Sequence, residues 1–138
     1  MARLSDTVMS YDVAVLPDSQ VGLAVFHSPV TGREMLHACQ DMVGHPDWRP
    51  GFVELWDLSN VEVDASPYEI DELVVSAHKL RDRIGKNRVA FVTRRETVDA
   101  LLRLFEVFTL DLGRTYRTFR TREEAAAWLD VPLAVVRT

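Results

Sequence analysis

A Ser or Thr precedes a Glu by three positions at four places where an apolar stretch with helical spacing begins. The pairs are Thr31/Glu34, Ser66/Glu69, Thr93/Glu96 and Thr121/Glu124. In a capping box the hydroxyl accepts a hydrogen bond from an amide of the first helical turn, and the glutamate accepts one from the amide of the cap residue. Each pair therefore predicts the start of a helix. Three of the four follow a short stretch typical of a β-strand, so the chain is predicted to alternate strand and helix.

The pattern of apolar residues predicts an α/β fold. Five strands are predicted, at 11–16, 21–27, 52–58, 88–92 and 115–119. Four helices are predicted, at 32–43, 67–84 and 94–110 and in the segment around 125–129. The first two strands are joined by the turn residues 17–20, which indicates an antiparallel hairpin. The later strands alternate with helices and should be parallel through right-handed crossovers. We therefore expect a mixed five-stranded sheet, with an N-terminal hairpin followed by βα units and about four helices.

Length and composition predict a single domain over residues 1–138, with residues 1–9 as a loose N-terminal lead-in. Of the 138 residues, 47% are hydrophobic, which is enough to bury a substantial core. The single cysteine, Cys39, cannot form an internal disulfide, and it is expected to pack as a small apolar residue. No apolar run approaches the ~18 residues that a membrane span needs. A cytoplasmic protein without membrane insertion is expected.

Charge is distributed unevenly along the chain, although the net charge is only −5. Residues 1–78 carry three basic and thirteen acidic side chains, whereas residues 79–122 carry twelve basic and five acidic ones. This asymmetry could steer a protein partner or orient a homodimer, or it could reflect solvated charges that follow helix ends. Nucleic-acid binding is not expected, because the basic residues are not interleaved with aromatic side chains and the net charge repels phosphate.

One segment carries a recognisable family pattern. Asp57-Leu58-Ser59-Asn60-Val61 precedes a capped helix, and Pro46-Asp47-Trp48 precedes the strand before it. With the order of elements, this pattern resembles the STAS domain of bacterial anti-sigma-factor antagonists. It resembles more closely the uncharacterised bacterial SpoIIAA-like proteins, in which a Pro-Asp-aromatic loop precedes the same strand. Related folds also resemble the lipid-binding CRAL-TRIO domains. The resemblance implies a STAS-like fold and a bacterial regulatory role without catalysis.

The stretch between this strand and the next helix is the predicted regulatory or ligand site, comprising Asp57, Ser59, Asp64 and Ser66. Ligands of open α/β sheets gather beyond the carboxyl ends of strands, and helix amino ends favour anions. The antagonists are phosphorylated on a Ser in an Asp-Ser-Ser-Gly turn. In one alignment Ser66 matches that Ser while Ala65 replaces the Asp. In the other, Asp64 is restored but Ala65 takes the Ser position.

An enzyme is not predicted. Asp57, Glu62 and Asp64 could together act as acid and base or hold a metal, but no second cluster completes a site. His37 and Cys39 lie about 200° apart around a helix and cannot chelate one ion. Hydrolase and nucleotide-binding motifs are absent from the sequence. We therefore predict no catalytic residue, no metal and no cofactor.

The predicted third helix has more apolar surface than one sheet can cover. Its apolar residues are Val98, Leu101, Leu102, Leu104, Phe105, Val107, Phe108, Leu110 and Leu112. A helix on a sheet needs an apolar stripe of roughly 100°. The surplus could face a second subunit, line an apolar cavity or contact a neighbouring helix, and Leu101, Leu104, Phe105 and Phe108 are the predicted interface or pocket residues.

Two functions follow from these features. The leading hypothesis is a non-enzymatic binding or regulatory module that acts through protein–protein association, with a protein partner or as a homodimer. The alternative is a carrier or sensor of a small apolar, lipid-like ligand.

Overall fold

The computed structural model describes residues 10–136 and shows one five-stranded sheet with helices on both faces. The strands of this sheet are β1 (Tyr11–Leu16), β2 (Val21–Phe26), β4 (Val53–Asp57), β6 (Arg88–Val92) and β7 (Thr115–Phe119). Two short strands, β3 (Val30–Thr31) and β5 (Val63–Asp64), pair with each other in parallel. The helices are α1 (Gly32–Val43), α2 (Pro67–Lys79), α3 (Arg81–Ile84), α4 (Glu96–Phe108), α5 (Arg122–Leu129) and α6 (Leu133–Val136).

The strand order of the large sheet is β1-β2-β4-β6-β7. β1 and β2 form the antiparallel hairpin, and the other neighbours are parallel. Leu23 pairs with Leu55, which pairs with Ala90. The predicted α/β class and mixed five-stranded sheet are confirmed. No helix within residues 10–136 is both long and apolar enough to cross a membrane.

Alternating side chains of the sheet pack in two separate cores, because successive residues of a strand point to opposite faces. On one face Trp56 and Phe91 pack in a core that includes side chains of α1 and α4. On the other face Leu55 and Ala90 pack in a core with α5 and the residues that follow it. The sheet therefore separates a large helical layer from a smaller one.

Two of the four predicted capping boxes form completely, at Thr31 and Ser66. At Thr121 the hydroxyl accepts a hydrogen bond from the Glu124 amide, as predicted. The prediction at Thr93 was wrong, because α4 begins at Glu96 with Arg95 as its cap residue. The Thr93 amide donates to the carbonyl oxygen of Phe119 in β7. Thr93 thus remains hydrogen-bonded to the sheet, which delays the start of the helix.

The predicted helix over 67–84 is divided into α2 and α3 at Leu80, whose ψ of 7° departs from helical values. The predicted helix over 94–110 is shorter, and a 3₁₀ turn at Leu110–Leu112 follows it. The short elements β3, β5 and α6 were not predicted. They span only two to four residues, too few to show a period. The predicted lead-in at 1–9 lies outside the described residues.

Candidate functional site

The four residues of the predicted regulatory or ligand site lie in two different places. Asp57 and Ser59 lie at the carboxyl end of β4, whereas Asp64 belongs to β5 and Ser66 caps α2. A polar cleft beyond the ends of the parallel strands contains Asp57 and Ser59 but neither Asp64 nor Ser66. This cleft is also lined by Arg94, Arg120 and Arg122. Of the predicted set, only Asp57 and Ser59 therefore line this cleft.

Asp57 connects the sheet to the smaller helical layer. Its Oδ1 accepts hydrogen bonds from the Ser59 amide (2.9 Å) and hydroxyl (2.5 Å), and its Oδ2 accepts one from Arg122. Arg122 also donates to the carbonyl oxygen of Val136 in α6. Burial raises the pKa of Asp57, but the bonds from Ser59 and Arg122 more than offset burial, so this pKa lies below its usual value. Both carboxylate oxygens therefore accept hydrogen bonds that stabilise the fold.

Ser66 has a structural role at the start of α2. Its hydroxyl accepts a hydrogen bond from the Glu69 amide (3.2 Å), and Glu69 Oε1 accepts one from the Ser66 amide (3.0 Å). The other Glu69 oxygen accepts a bond from the amide of Arg33 in α1 (3.1 Å). The cap of α2 thus also joins the amino ends of two helices.

An apolar cavity of about 60 Å³ lies between the sheet and the larger helical layer. Its walls come from α1, α2 and α4, and its floor comes from β4, β6 and β7. Leu101 and Phe105 of α4 line the cavity, and so does Cys39 of α1. Two of the four predicted interface or pocket residues therefore face inward. Burial raises the pKa of the Cys39 thiol to about 12, so the thiol stays protonated at neutral pH.

The cavity floor contains a buried ion pair. Arg114 Nη2 lies 2.5 Å from Glu54 Oε2, and the two side chains are 5% and 1% exposed. The Asn87 side-chain amide donates to Glu54 (2.8 Å) and accepts from Arg114 Nε (3.1 Å). Glu54 also accepts a bond from Trp56 Nε1 (2.9 Å). Burial lowers the pKa of Arg114, but the adjacent Glu54 charge outweighs this effect, so the pKa lies above its usual value.

The other two predicted residues of α4 face outward. Leu104 is 44% exposed and Phe108 is 53% exposed, and Val107 (58%) and Leu110 (70%) continue the apolar surface. These four residues are called the outer α4 face below. His78 of α2 lies beside it, with Nε2 3.5 Å from the Phe108 carbonyl oxygen.

A comparison with solved structures shows what kind of fold this is. The chain is similar to the crystal structure of an uncharacterised protein of the DUF3478 family from Shewanella loihica PV-4, which is described as having a SpoIIAA-like fold. The two are 17% identical, with a TM-score of 0.56, and the match covers 94% of this chain and 98% of the other. This chain has a SpoIIAA-like fold. No protein-family model and no curated protein sequence matches it.

Within this SpoIIAA-like fold, the buried ion pair of Glu54 and Arg114 was not predicted from the sequence. Glu54 lies in the strand predicted at 52–58, whose other residues are mostly apolar. A glutamate inside such a strand is itself a signal, since a buried carboxylate needs a cation. The partner could not be located in this way, because Arg114 lies 60 positions further along the chain.

Across residues 10–136, no three or more His, Cys, Asp or Glu side chains are grouped so that they could hold an ion. Cys39 faces the apolar cavity on α1, in keeping with its predicted apolar packing.

Asp57→Asn should lower the free energy of unfolding by about 2 kcal/mol at pH 7, because it weakens hydrogen bonds to a charged group. Since the folded pKa of Asp57 is lowered, this stabilisation is present above the unfolded pKa of about 3.9 and is lost as the pH falls through the folded value. Urea titrations of both proteins from pH 7 to pH 3 should show the difference shrinking. The exposed Asp64→Asn is the control, and an equal loss in that variant would contradict the prediction.

Proposed function

We propose that this protein is a non-enzymatic binding module that acts by protein–protein association, as a homodimer. The observation that carries the proposal is the outer α4 face, on which four large apolar side chains are 44–70% exposed. Contiguous apolar surface of this kind marks interaction sites on monomeric folds. A second copy of the chain is the occupant proposed here.

Charge around this face suits a two-fold contact. In such a contact the same patch is used twice, so the patch must complement itself. Arg103 and Glu106 of α4 carry opposite charges, and Arg103 is paired with Asp99 of the same helix (3.0 Å). In an antiparallel contact between two copies of α4, Arg103 of one copy would keep this pair and approach Glu106 of the other. Opposite charges at the rim would fix the orientation, while the apolar residues supply the affinity.

The hydrogen bonds made by the two buried acidic residues support a function without catalysis. A general base needs a carboxylate oxygen that can reach a substrate proton. Asp57 directs its oxygens to Ser59 and Arg122, and Glu54 is bonded to Trp56, Asn87 and Arg114. These two buried acids stabilise the fold instead.

Phe108→Asp should weaken the dimer about 30-fold, because burying a charge at the centre of an apolar contact costs about 2 kcal/mol or more. Sedimentation velocity from about 1 to about 100 μM would measure the dissociation constant of each variant. The matched control is Tyr68→Asp, which changes an aromatic residue that is 66% exposed at the start of α2. A monomeric wild-type protein at the highest concentration, or equal effects of both variants, would refute the homodimer.

A second candidate function, binding of a small apolar ligand, is favoured by the cavity beneath α4. Native mass spectrometry of freshly purified protein would separate the two functions. A retained small molecule supports ligand binding, whereas a dimer of unliganded chains supports association.

A further inference from the structure

We infer that the polar cleft at the carboxyl ends of β4, β6 and β7 binds a small phosphate monoester that carries hydroxyl groups, and that Arg94 and Arg120 bind its phosphoryl group. This cleft shares no residue with the outer α4 face, so the inference goes beyond association through that face. Three observations support it: two arginines without partners, the hydrogen bonds that fix the strand ends, and the polar lining of the cleft.

Arg94 and Arg120 are the cations that a ligand could use. Both line the cleft and are exposed, and neither side chain forms a hydrogen bond or an ion pair with any residue in the range 10–136. The third arginine of the cleft, Arg122, is paired with Asp57. The lining also contains Glu123, so it has three cations and two carboxylates. Since Asp57 and Arg122 neutralise each other, the remaining charge of the cleft is positive and favours an anion.

Hydrogen bonds at the strand ends fix the positions from which these two arginines extend. The amide of Thr93 donates to the carbonyl oxygen of Phe119 (2.9 Å), which joins the ends of β6 and β7. These two residues directly precede Arg94 and Arg120, so the two arginines leave neighbouring strands at the same level of the sheet. The Thr93 hydroxyl also accepts a bond from the Arg95 amide (3.2 Å), which fixes the turn that contains Arg94. A backbone held in this way lowers the cost of ordering the site when a ligand binds.

Two guanidinium groups from different strands suit a phosphoryl group better than a carboxylate. The phosphoryl group of a monoester carries about −1.5 to −2 charges at neutral pH and has three terminal acceptor oxygens. A carboxylate has two oxygens in one plane, and a single guanidinium can bind both of them. Arg94 and Arg120 can donate to different oxygens of one phosphoryl group, so that both arginines gain a partner.

The rest of the cleft favours a polar, hydroxylated ligand. The cleft has a volume of about 340 Å³, which exceeds the roughly 150 Å³ that takes a benzene molecule. Val92 is the one apolar residue in the lining that the structure describes, so an acyl chain would find little apolar surface there. Ser59 donates its hydroxyl proton to Asp57, which leaves the Ser59 oxygen to accept a bond from a ligand hydroxyl. The ligand is therefore a soluble sugar or polyol phosphate rather than a lipid.

Isothermal titration calorimetry of the full chain with glycerol 3-phosphate, inorganic phosphate and glycerol would test this inference. Glycerol 3-phosphate should bind with a saturable isotherm. Inorganic phosphate should bind about fivefold more weakly, as expected when one neutral hydrogen bond is lost. Glycerol should not bind, because it has no charge for the two arginines.

Arg94→Gln and Arg120→Gln should each weaken the binding of glycerol 3-phosphate about tenfold, as expected for the loss of a hydrogen bond from a charged donor. Both arginines are without partners within residues 10–136, so the midpoint of thermal unfolding should not change. Arg117→Gln is the matched control, since Arg117 is an exposed arginine of β7 that does not line the cleft. This variant should bind glycerol 3-phosphate as tightly as the wild type.

Three results would overturn the inference. If glycerol 3-phosphate shows no saturable binding at about 10 mM, the cleft is not a site for a phosphate monoester. If Arg117→Gln weakens binding as much as Arg94→Gln and Arg120→Gln do, the anion is attracted by the basic surface in general and not by the cleft. If inorganic phosphate binds as tightly as glycerol 3-phosphate, the cleft does not recognise the hydroxylated part of the ligand.

Discussion

Arg114→Met should lower the free energy of unfolding by about 3–5 kcal/mol, because it leaves a buried carboxylate without its cation. Glu54 is 1% exposed and lies 2.5 Å from Arg114. After the substitution, its remaining partners are the neutral donors of Trp56 and Asn87. These donors cannot replace a full positive charge in an apolar surrounding. Urea unfolding at pH 7, followed by far-UV circular dichroism, would measure the loss.

A matched control comes from an exposed ion pair on α4. Arg103 lies 3.0 Å from Asp99, and its side chain is 74% exposed. Arg103→Met should cost at most about 0.5 kcal/mol, because exposed pairs one helical turn apart contribute little. The double variant Glu54→Gln/Arg114→Met should recover part of the loss caused by Arg114→Met alone. A loss from Arg114→Met no larger than that from Arg103→Met would show that the buried charge is not the cause.

The parts of the fold that local chemistry determines could be predicted from the sequence. Thr31 and Ser66 cap their helices through bonds to residues three positions away, so the pattern itself contains both partners. The strands β6 and β7 have the predicted bounds, since both are rich in β-branched and aromatic residues, which favour strands. Thr93 has the same local pattern, but its amide donates a hydrogen bond to the carbonyl oxygen of Phe119 in a neighbouring strand, and the helix begins only at Glu96. Such a bond depends on sheet pairing, which the local pattern does not contain.

The site was predictable only in part, for a similar reason. The apolar excess of α4 indicated an interface or a cavity, and in the structure some of its residues line the cavity while others are exposed. Whether a residue of α4 lines the cavity or faces outward depends on the orientation of α4 about its own axis relative to α1 and α2. Phe105 lines the cavity, whereas Phe108 is exposed. Asp57 and Asp64 are close in sequence, but β5 pairs with β3 outside the main sheet and takes Asp64 away from the cleft that contains Asp57.

Trp48→Ala should lower the free energy of unfolding by about 3–5 kcal/mol, the range found when a large aromatic side chain is removed from a core. Trp48 is fully buried, and its ring lies 5.5 Å from that of Phe52. Its Nε1 donates to the carbonyl oxygen of Arg83 (2.8 Å), which joins the loop before β4 to α3. The substitution would leave both a void and an unsatisfied carbonyl. Urea unfolding followed by far-UV circular dichroism, which needs no tryptophan signal, would measure the change.

Trp128→Ala is the matched control, since Trp128 is only half-buried on α5. Its ring contacts Phe119 (5.6 Å) and the Arg88 guanidinium (5.5 Å), so its removal should cost about 1–2 kcal/mol through lost surface and stacking. Trp48→Phe should fall between the wild type and Trp48→Ala, because it keeps most of the ring volume but loses the bond to Arg83. Equal losses in Trp48→Ala and Trp128→Ala would mean that the loop before β4 contributes no more to the core than a surface helix. The Pro-Asp-aromatic segment would then have no special role in stabilising this fold.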